Sequence, residues 1–218
     1  LGFKEIRNLI ISTVAFDSFK NLKQDGKFDI NKFWKYSFYC ALAAKTIAVD
    51  LEIESKELFV AGLVHDIGKL AIYVTFPSEF MMQLEIMNPL KIKYTSFEAE
   101  KDVFGMTHDE VGIRLLKKWM FPESLQIAVG YHHRPQNADK QSLFPIIVHI
   151  AGILTHVYEM QAEDEEGEYF QTELFYGDAI GLSQSFGIDW NVSDLSRFQQ
   201  MLKESIKKEA DTIKLFFS

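Results

Sequence analysis

Apolar positions recur three and four residues apart along most of this chain, the spacing of helices that bury one face. Ile6, Leu9, Ile10, Thr13, Val14 and Phe16 keep that spacing and predict an opening helix. A polar connection from Asn21 to Asp29 follows, and Asp29 is placed to cap a helix running from about Ile30 to Val49. Ala41, Ala43, Ala44 and Ala48 give this helix a small-residue surface suited to close packing. Glu54 to Phe76 predicts a helix that carries Leu58, Phe59, Leu63 and Val64 inward, is interrupted at Gly68 and ends before Pro77. Further helices are predicted over Glu79 to Met87, Thr95 to Phe104, His108 to Trp119, Pro122 to Tyr131 and Pro145 to Glu159, with Pro122 and Pro145 at first-turn positions where a missing amide costs nothing.

Glu163-Asp164-Glu165-Glu166-Gly167 breaks the apolar pattern and reads as a solvated loop without a function. Beyond it, Asp178 to Phe186 predicts a short helix and Gly187-Ile188-Asp189 a turn, and Ser193 is placed to cap a final helix. Leu195, Phe198, Leu202, Ile206 and Ile213 form the stripe of that last helix, with Lys203, Lys207 and Lys208 lying off it. No convincing period-two alternation and no internal repeat interrupts this picture, so the expected fold is all-α.

Composition narrows the function classes. The 218 residues suffice for one substantial core, and 19 Phe among them make it an aromatic one. A net charge of -8, with no block of Lys or Arg, argues against nucleic acid as a partner. Cys40 is the single cysteine, which excludes an intrachain disulfide or a cysteine metal cluster and suits a reducing compartment. No apolar run of membrane-spanning length stands out and the first residues lack a signal-peptide layout, so the expectation is a cytoplasmic protein with no membrane partner.

The residues able to carry chemistry are mostly histidines. His65-Asp66 places two metal-competent side chains next to one another at the end of an apolar run, and the bend expected at Gly68 would let both reach one ion. Taken alone, the segment reads rather as a buried histidine bonded to a carbonyl, with Asp66 and Lys69 exposed. His108 opens one predicted helix, and His132 and His133 close another. Each alone is ordinary, since a histidine at a helix C-terminus is favoured by the dipole. Together, His65, Asp66, His108, His132 and His133 form a mixed nitrogen and oxygen set suited to Zn, Fe, Mn or Mg at one or two sites. His149 and His156, seven residues apart, share a helix face with Gly152; that face reads first as polar or packed, and otherwise as a source of a substitute ligand. Trp34 and Trp119 read as core anchors.

Four segments resemble the HDOD family, the bacterial output-domain branch of the HD superfamily: Trp34-Lys35-Tyr36-Ser37, Ala61-Gly62-Leu63-Val64-His65-Asp66-Ile67-Gly68-Lys69, Phe104-Gly105-Met106-Thr107-His108 and Tyr131-His132-His133. Their order and flanks agree with the family, including the Leu115 to Pro122 stretch. The resemblance implies an HD-like helical bundle over residues 1–159, with 160–218 as an acidic loop and helical extension packed on it, and a further helical segment ahead of Leu1.

The metal-binding HD pattern runs first His, then His-Asp, then a distant Asp, and only its middle pair is intact here. Tyr36 stands where the first His is expected and Gly152 where the last Asp is expected. His108, His132 and His133 fall where the related HD-GYP phosphodiesterases have additional ligands, yet Arg134-Pro135-Gln136 lacks their Gly-Tyr-Pro signature. The resemblance therefore implies a cytoplasmic bacterial signal-transduction module, non-catalytic and acting through a regulatory protein partner. The alternative is a metal-dependent phosphohydrolase on a nucleotide or cyclic dinucleotide, with His65, Asp66, His108, His132 and His133 holding the ion and Lys69 neutralising phosphate.

Overall fold

The structure is a computed structural model and describes residues 28–53, 55–87, 96–138, 143–162 and 168–217. Every regular element among them is helical, as the spacing of apolar residues requires. The predicted opening helix, most of the connection after it and the acidic stretch 163–167 lie outside the described residues.

Helix α1 (Ile30–Asp50) is the spine. Asp29 caps it by accepting from the Lys32 amide at 2.9 Å, and its alanines lie fully buried. That small-residue surface admits α2 (Ser55–Val64) at close range: a Cβ added at Gly62 would stand 2.7 Å from the Ala41 Cα. Helix α3 (Ile67–Thr75) follows after only two residues, His65 and Asp66. The helix expected over Glu54 to Phe76 is thus two helices, and the break falls at the His-Asp pair, before Gly68. Gly68 is required for a different reason. A Cβ there would lie 1.9 Å from the His108 carbonyl oxygen, so this glycine lets α3 cross the first turn of α6.

Helices α4 (Pro77–Met87) and α5 (Ser96–Phe104) pack on each other and lead to α6 (His108–Lys118). The Glu110 carboxylate accepts from the Thr107 amide at 3.2 Å at the start of α6, acids occupy its first turn and lysines its last, all favourable to the helix dipole. Helix α7 (Glu123–Tyr131) ends at the His132-His133 pair, after which Pro135–Asn137 forms a single 3-10 turn. Helix α8 (Phe144–Ala162) then runs through the centre against α1, α2 and α7, with Ile146, Ile147, Ile150 and Leu154 fully buried.

Three helices close the chain: α9 (Glu168–Ser185), α10 (Val192–Lys208) and α11 (Ala210–Phe217). Helix α9 is longer than the segment expected from Asp178. Asn191, not Ser193, caps α10, its side chain accepting from the Ser193 and Asp194 amides at 2.8 and 3.4 Å. The single final helix expected through Ile213 is broken at Glu209. Lys203, Lys207 and Lys208 are exposed as expected, while Leu195, Phe198 and Leu202 are buried against α1 and α8.

The interior divides into two apolar clusters. One gathers α1, α2, α8 and the C-terminal helices around Phe198 and Trp190; the other gathers α1, α2, α3, α6 and α7 around Trp34, Ile67 and Leu125. Trp34 is buried in the second, and Trp119 packs partly buried against it, as core anchors do. The stretch Lys56–Thr75 has the length and apolar content of a membrane span, contrary to the sequence reading. It is bent at His65-Asp66 and 67% of its apolar window is buried in the bundle, as in a core helix pair.

Candidate metal centre

The turn between α2 and α3 carries His65 and Asp66 inward, 4% and 5% exposed. Asp66 is the hub. Its Oδ1 lies 3.1 Å from His108 Nε2 and 3.5 Å from His132 Nε2, while its Oδ2 lies 2.7 Å from Lys69 Nζ and 3.3 Å from His65 Nε2. His133 Nε2 stands 2.8 Å from His108 Nε2, and the His108 and His132 Nε2 atoms are 3.5 Å apart. One ligand atom from each of Asp66, His108, His132 and His133 lies within 4.8 Å of all the others.

Three of these imidazoles have their second nitrogen anchored. His65 Nδ1 lies 2.8 Å from the Gly62 carbonyl, His132 Nδ1 2.8 Å from the Val129 carbonyl and His108 Nδ1 2.7 Å from the Glu100 carboxylate. The first two acceptors are carbonyls that helix ends leave over. A neutral imidazole has one N–H, so a proton held at Nδ1 leaves a lone pair on Nε2. At His108 and His132 that lone pair faces Asp66 Oδ1, which is buried and has no hydrogen-bond donor. Converging without protons, these acceptor atoms would repel one another unless a cation lay among them, either a bound ion or a proton taken up by a histidine of the set. The donor chemistry therefore fits a divalent ion, and three imidazoles with one carboxylate favour a transition metal over Mg.

In the metal-free chain, protons can take the place of that cation. Burial opposes charge on Asp66, but the His65 imidazole, the Lys69 ammonium and His108 hold its carboxyl well below the ordinary range. Burial likewise opposes charge on His65 and His108, and the adjacent carboxylates outweigh it, raising both. His132 is instead pushed down to about 4, chiefly by burial. Burial, followed by its histidine neighbours, drives His133 far below its ordinary value.

The five expected site residues thus come together, though unequally: four form the tight set, and His65 sits on the Oδ2 side with Lys69. On that side the HD pattern is incomplete, and the two departures touch. The Tyr36 hydroxyl donates to the Gly152 carbonyl at 3.2 Å. Burial, reinforced by the charges of Cys40 and Asp66, lifts the Tyr36 phenol well above its ordinary value, so it stays a neutral hydroxyl and a poor ligand. His149 does not join the set; its Nδ1 meets the His132 carbonyl at 2.7 Å and so braces the histidine pair. His156 is exposed, with its ring 5.1 Å from Phe175. Sequence reasoning missed Glu100, 1% exposed on α5, whose charged and polar helix carries nothing that marks an inward carboxylate. A cavity of about 730 Å³ opens over the Oδ2 side, bounded by Lys32, Phe33, Tyr36, Lys69, His149 and Phe175 among others.

A helical bundle folded around a buried His-Asp turn, with further histidines delivered by separate helices, defines an HD-type domain. Within that class the chain belongs to the HDOD family, whose domain it matches over residues 1–135. It is similar to ribonuclease Y of Thermus thermophilus, 26% identical over 137 residues, covering 63% of this chain and 18% of that protein. It is also similar to an uncharacterised protein of Treponema pallidum, 20% identical over 150 residues, covering 65% and 27% respectively. The chain therefore spans about a fifth to a quarter of the length of these relatives. Among solved structures, a Shewanella amazonensis protein provisionally named a phosphohydrolase shares the fold at a TM-score of 0.74 and 19% identity, over 100% of this chain and 74% of that one. An HDOD protein of Geobacter sulfurreducens matches at 0.63 and 22%, over 99% and 70%. The MmoQ response regulator of Methylococcus capsulatus matches at 0.57 and 23%, over 80% and 63%.

Proposed function

We propose that this chain is a bacterial, cytoplasmic signal-transduction module of the HDOD type that acts through contact with a regulatory protein and holds one divalent ion without hydrolysing a substrate. The observation that carries this reading is the Tyr36 to Gly152 hydrogen bond, which joins the two positions where the HD pattern expects ligands. Asp66 Oδ1, His108, His132 and His133 would hold the ion, and Lys69 would supply the positive charge on the Oδ2 side. Family membership and the name of the MmoQ neighbour support a signalling role. We take residues 1–159 as the family unit and 160–218 as an extension packed on it, because α10 and α11 lie against α1.

A second reading is favoured by the cavity. It opens onto Asp66, His132, His133 and Lys69, as a site for a phosphate-bearing nucleotide would, and a bound ion there would supply a Lewis acid and an acidified water. The names ribonuclease Y and phosphohydrolase among the similar proteins support it.

Elemental analysis of the purified protein, followed by assay of a generic phosphodiester with Mn, Fe or Mg, separates the two. The expected result is about one ion per chain and no turnover, with about one further ion taken up by the double variant Tyr36→His, Gly152→Asp. Space for the new carboxylate exists: a Cβ at Gly152 meets nothing nearer than the Tyr36 hydroxyl at 4.0 Å. Wild-type turnover abolished by Asp66→Ala would establish the enzyme instead.

A further inference from the structure

The imidazoles around Asp66 are anchored by two kinds of acceptor. His65 and His132 give their Nδ1 to neutral peptide carbonyls, whereas His108 gives it to a carboxylate. Glu100 is committed to this one residue twice over: its Oε2 accepts from the His108 backbone amide at 2.7 Å, and both oxygens lie within 2.8 Å of Nδ1. The carboxylate is 1% exposed, and no Lys or Arg among the described residues forms an ion pair with it.

Burying a carboxylate is costly unless a positive charge compensates it. The bond to the His108 amide satisfies a free N–H at the start of α6, but that amide needs only one acceptor, and the carboxylate also engages Nδ1 through both oxygens. The arrangement makes sense when read outward through the ring: carboxylate to Nδ1–H, Nε2 to the centre of the ligand set. A carboxylate on the far nitrogen fixes the tautomer and ring orientation and makes the near nitrogen a stronger donor.

We infer that Glu100 is a positioning residue for the metal centre, holding His108 as its strongest nitrogen ligand and tying helix α5 to the bound ion. This rests on the single-ion reading above. The device also explains how a set that has lost two expected ligands retains an ion: one of its three imidazoles is strengthened by a full negative charge behind it. Lys101, the next residue on α5, pairs with Glu110 at 3.4 Å, so the same helix is joined to the first turn of α6 at two adjacent positions.

The test uses the whole chain, stripped with chelator and titrated with Co2+. Glu100→Gln keeps the size and removes the charge, and it should weaken Co2+ binding by about 10–100-fold and shift the visible ligand-field bands. Helix content and melting temperature of the metal-free variant serve as the fold control, since a purely structural role would change these and leave the Co2+ spectrum alone. Unchanged affinity and spectrum would overturn the inference while leaving the metal reading intact. Failure of the wild type to bind any ion would remove both. Should the variant not fold, long-range proton–nitrogen NMR of the loaded wild type decides: the His108 Nδ1 proton should be protected from exchange, and rapid exchange there would overturn the assignment.

Discussion

At the scale of the residue, the metal centre is an arrangement of protons. His65 and His108 have raised pKa values because carboxylates outweigh burial, whereas burial lowers His132 to about 4 and His133 further. In the metal-free protein these groups act on stability in opposite directions. The contribution of the raised pair is present below about pH 6.5 and is lost as pH rises through their folded values. The contribution of the lowered pair is present above about pH 6.5 and is lost as pH falls toward 4. Thermal melts in chelator should therefore peak near pH 6.5 and fall on both sides, and saturating Zn2+ should reduce the alkaline fall by the share that His108 contributes, because the ion replaces its Nε2 proton. A monotonic profile in chelator would contradict this balance. The sequence made His65, Asp66, His108, His132 and His133 visible as candidates because the chain has only 6 His and Asp66 adjoins one of them. It left Glu100 invisible, since a glutamate among nine helical residues gives no sign of which way it faces.

At the scale of the element, the centre depends on two helices crossing at a glycine. Gly68 lets α3 approach the first turn of α6 so closely that any side chain would meet the His108 carbonyl. Gly68→Ala should push the helices apart, cost at least about 1–3 kcal/mol in urea denaturation and weaken uptake of the proposed ion, because His108 moves with its backbone. Retention of both would show that α6 can yield without disturbing the site. Among the described residues most helices were legible, because amphipathic spacing and caps are local. Breaks were less so. The interruption expected at Gly68 falls at His65-Asp66, where burial of both polar side chains toward α6 and α7 outweighs helix continuation. The start of α9 was missed because its apolar residues are spread around the helix and leave no stripe. Asn191 and Ser193 are both good caps two residues apart, and only the bonds Asn191 makes to two amides decide between them.

At the scale of the whole molecule, α8 and α1 belong to both sides of the structure: their aliphatic faces build the core around Phe198, and Tyr36, His149 and Gly152 on them border the cavity. The C-terminal helices should therefore share the stability of the site-bearing half. Phe198→Ala should cost about 3–5 kcal/mol, with tryptophan fluorescence and helix content lost in one transition at lower denaturant. Two separated transitions would mean that the extension unfolds independently. Composition and periodicity alone determined the all-helical class and most helix positions, since burying one face of each helix is a local requirement of the chain. Sequence motifs also marked the residues able to hold an ion. Only the tertiary structure decided that Asp66 divides its two oxygens between a histidine set and Lys69, that Tyr36 and Gly152 bond to each other, and that Glu100 stands behind His108. Those are meetings between residues up to 116 positions apart, fixed by how helices cross rather than by any pattern along one of them.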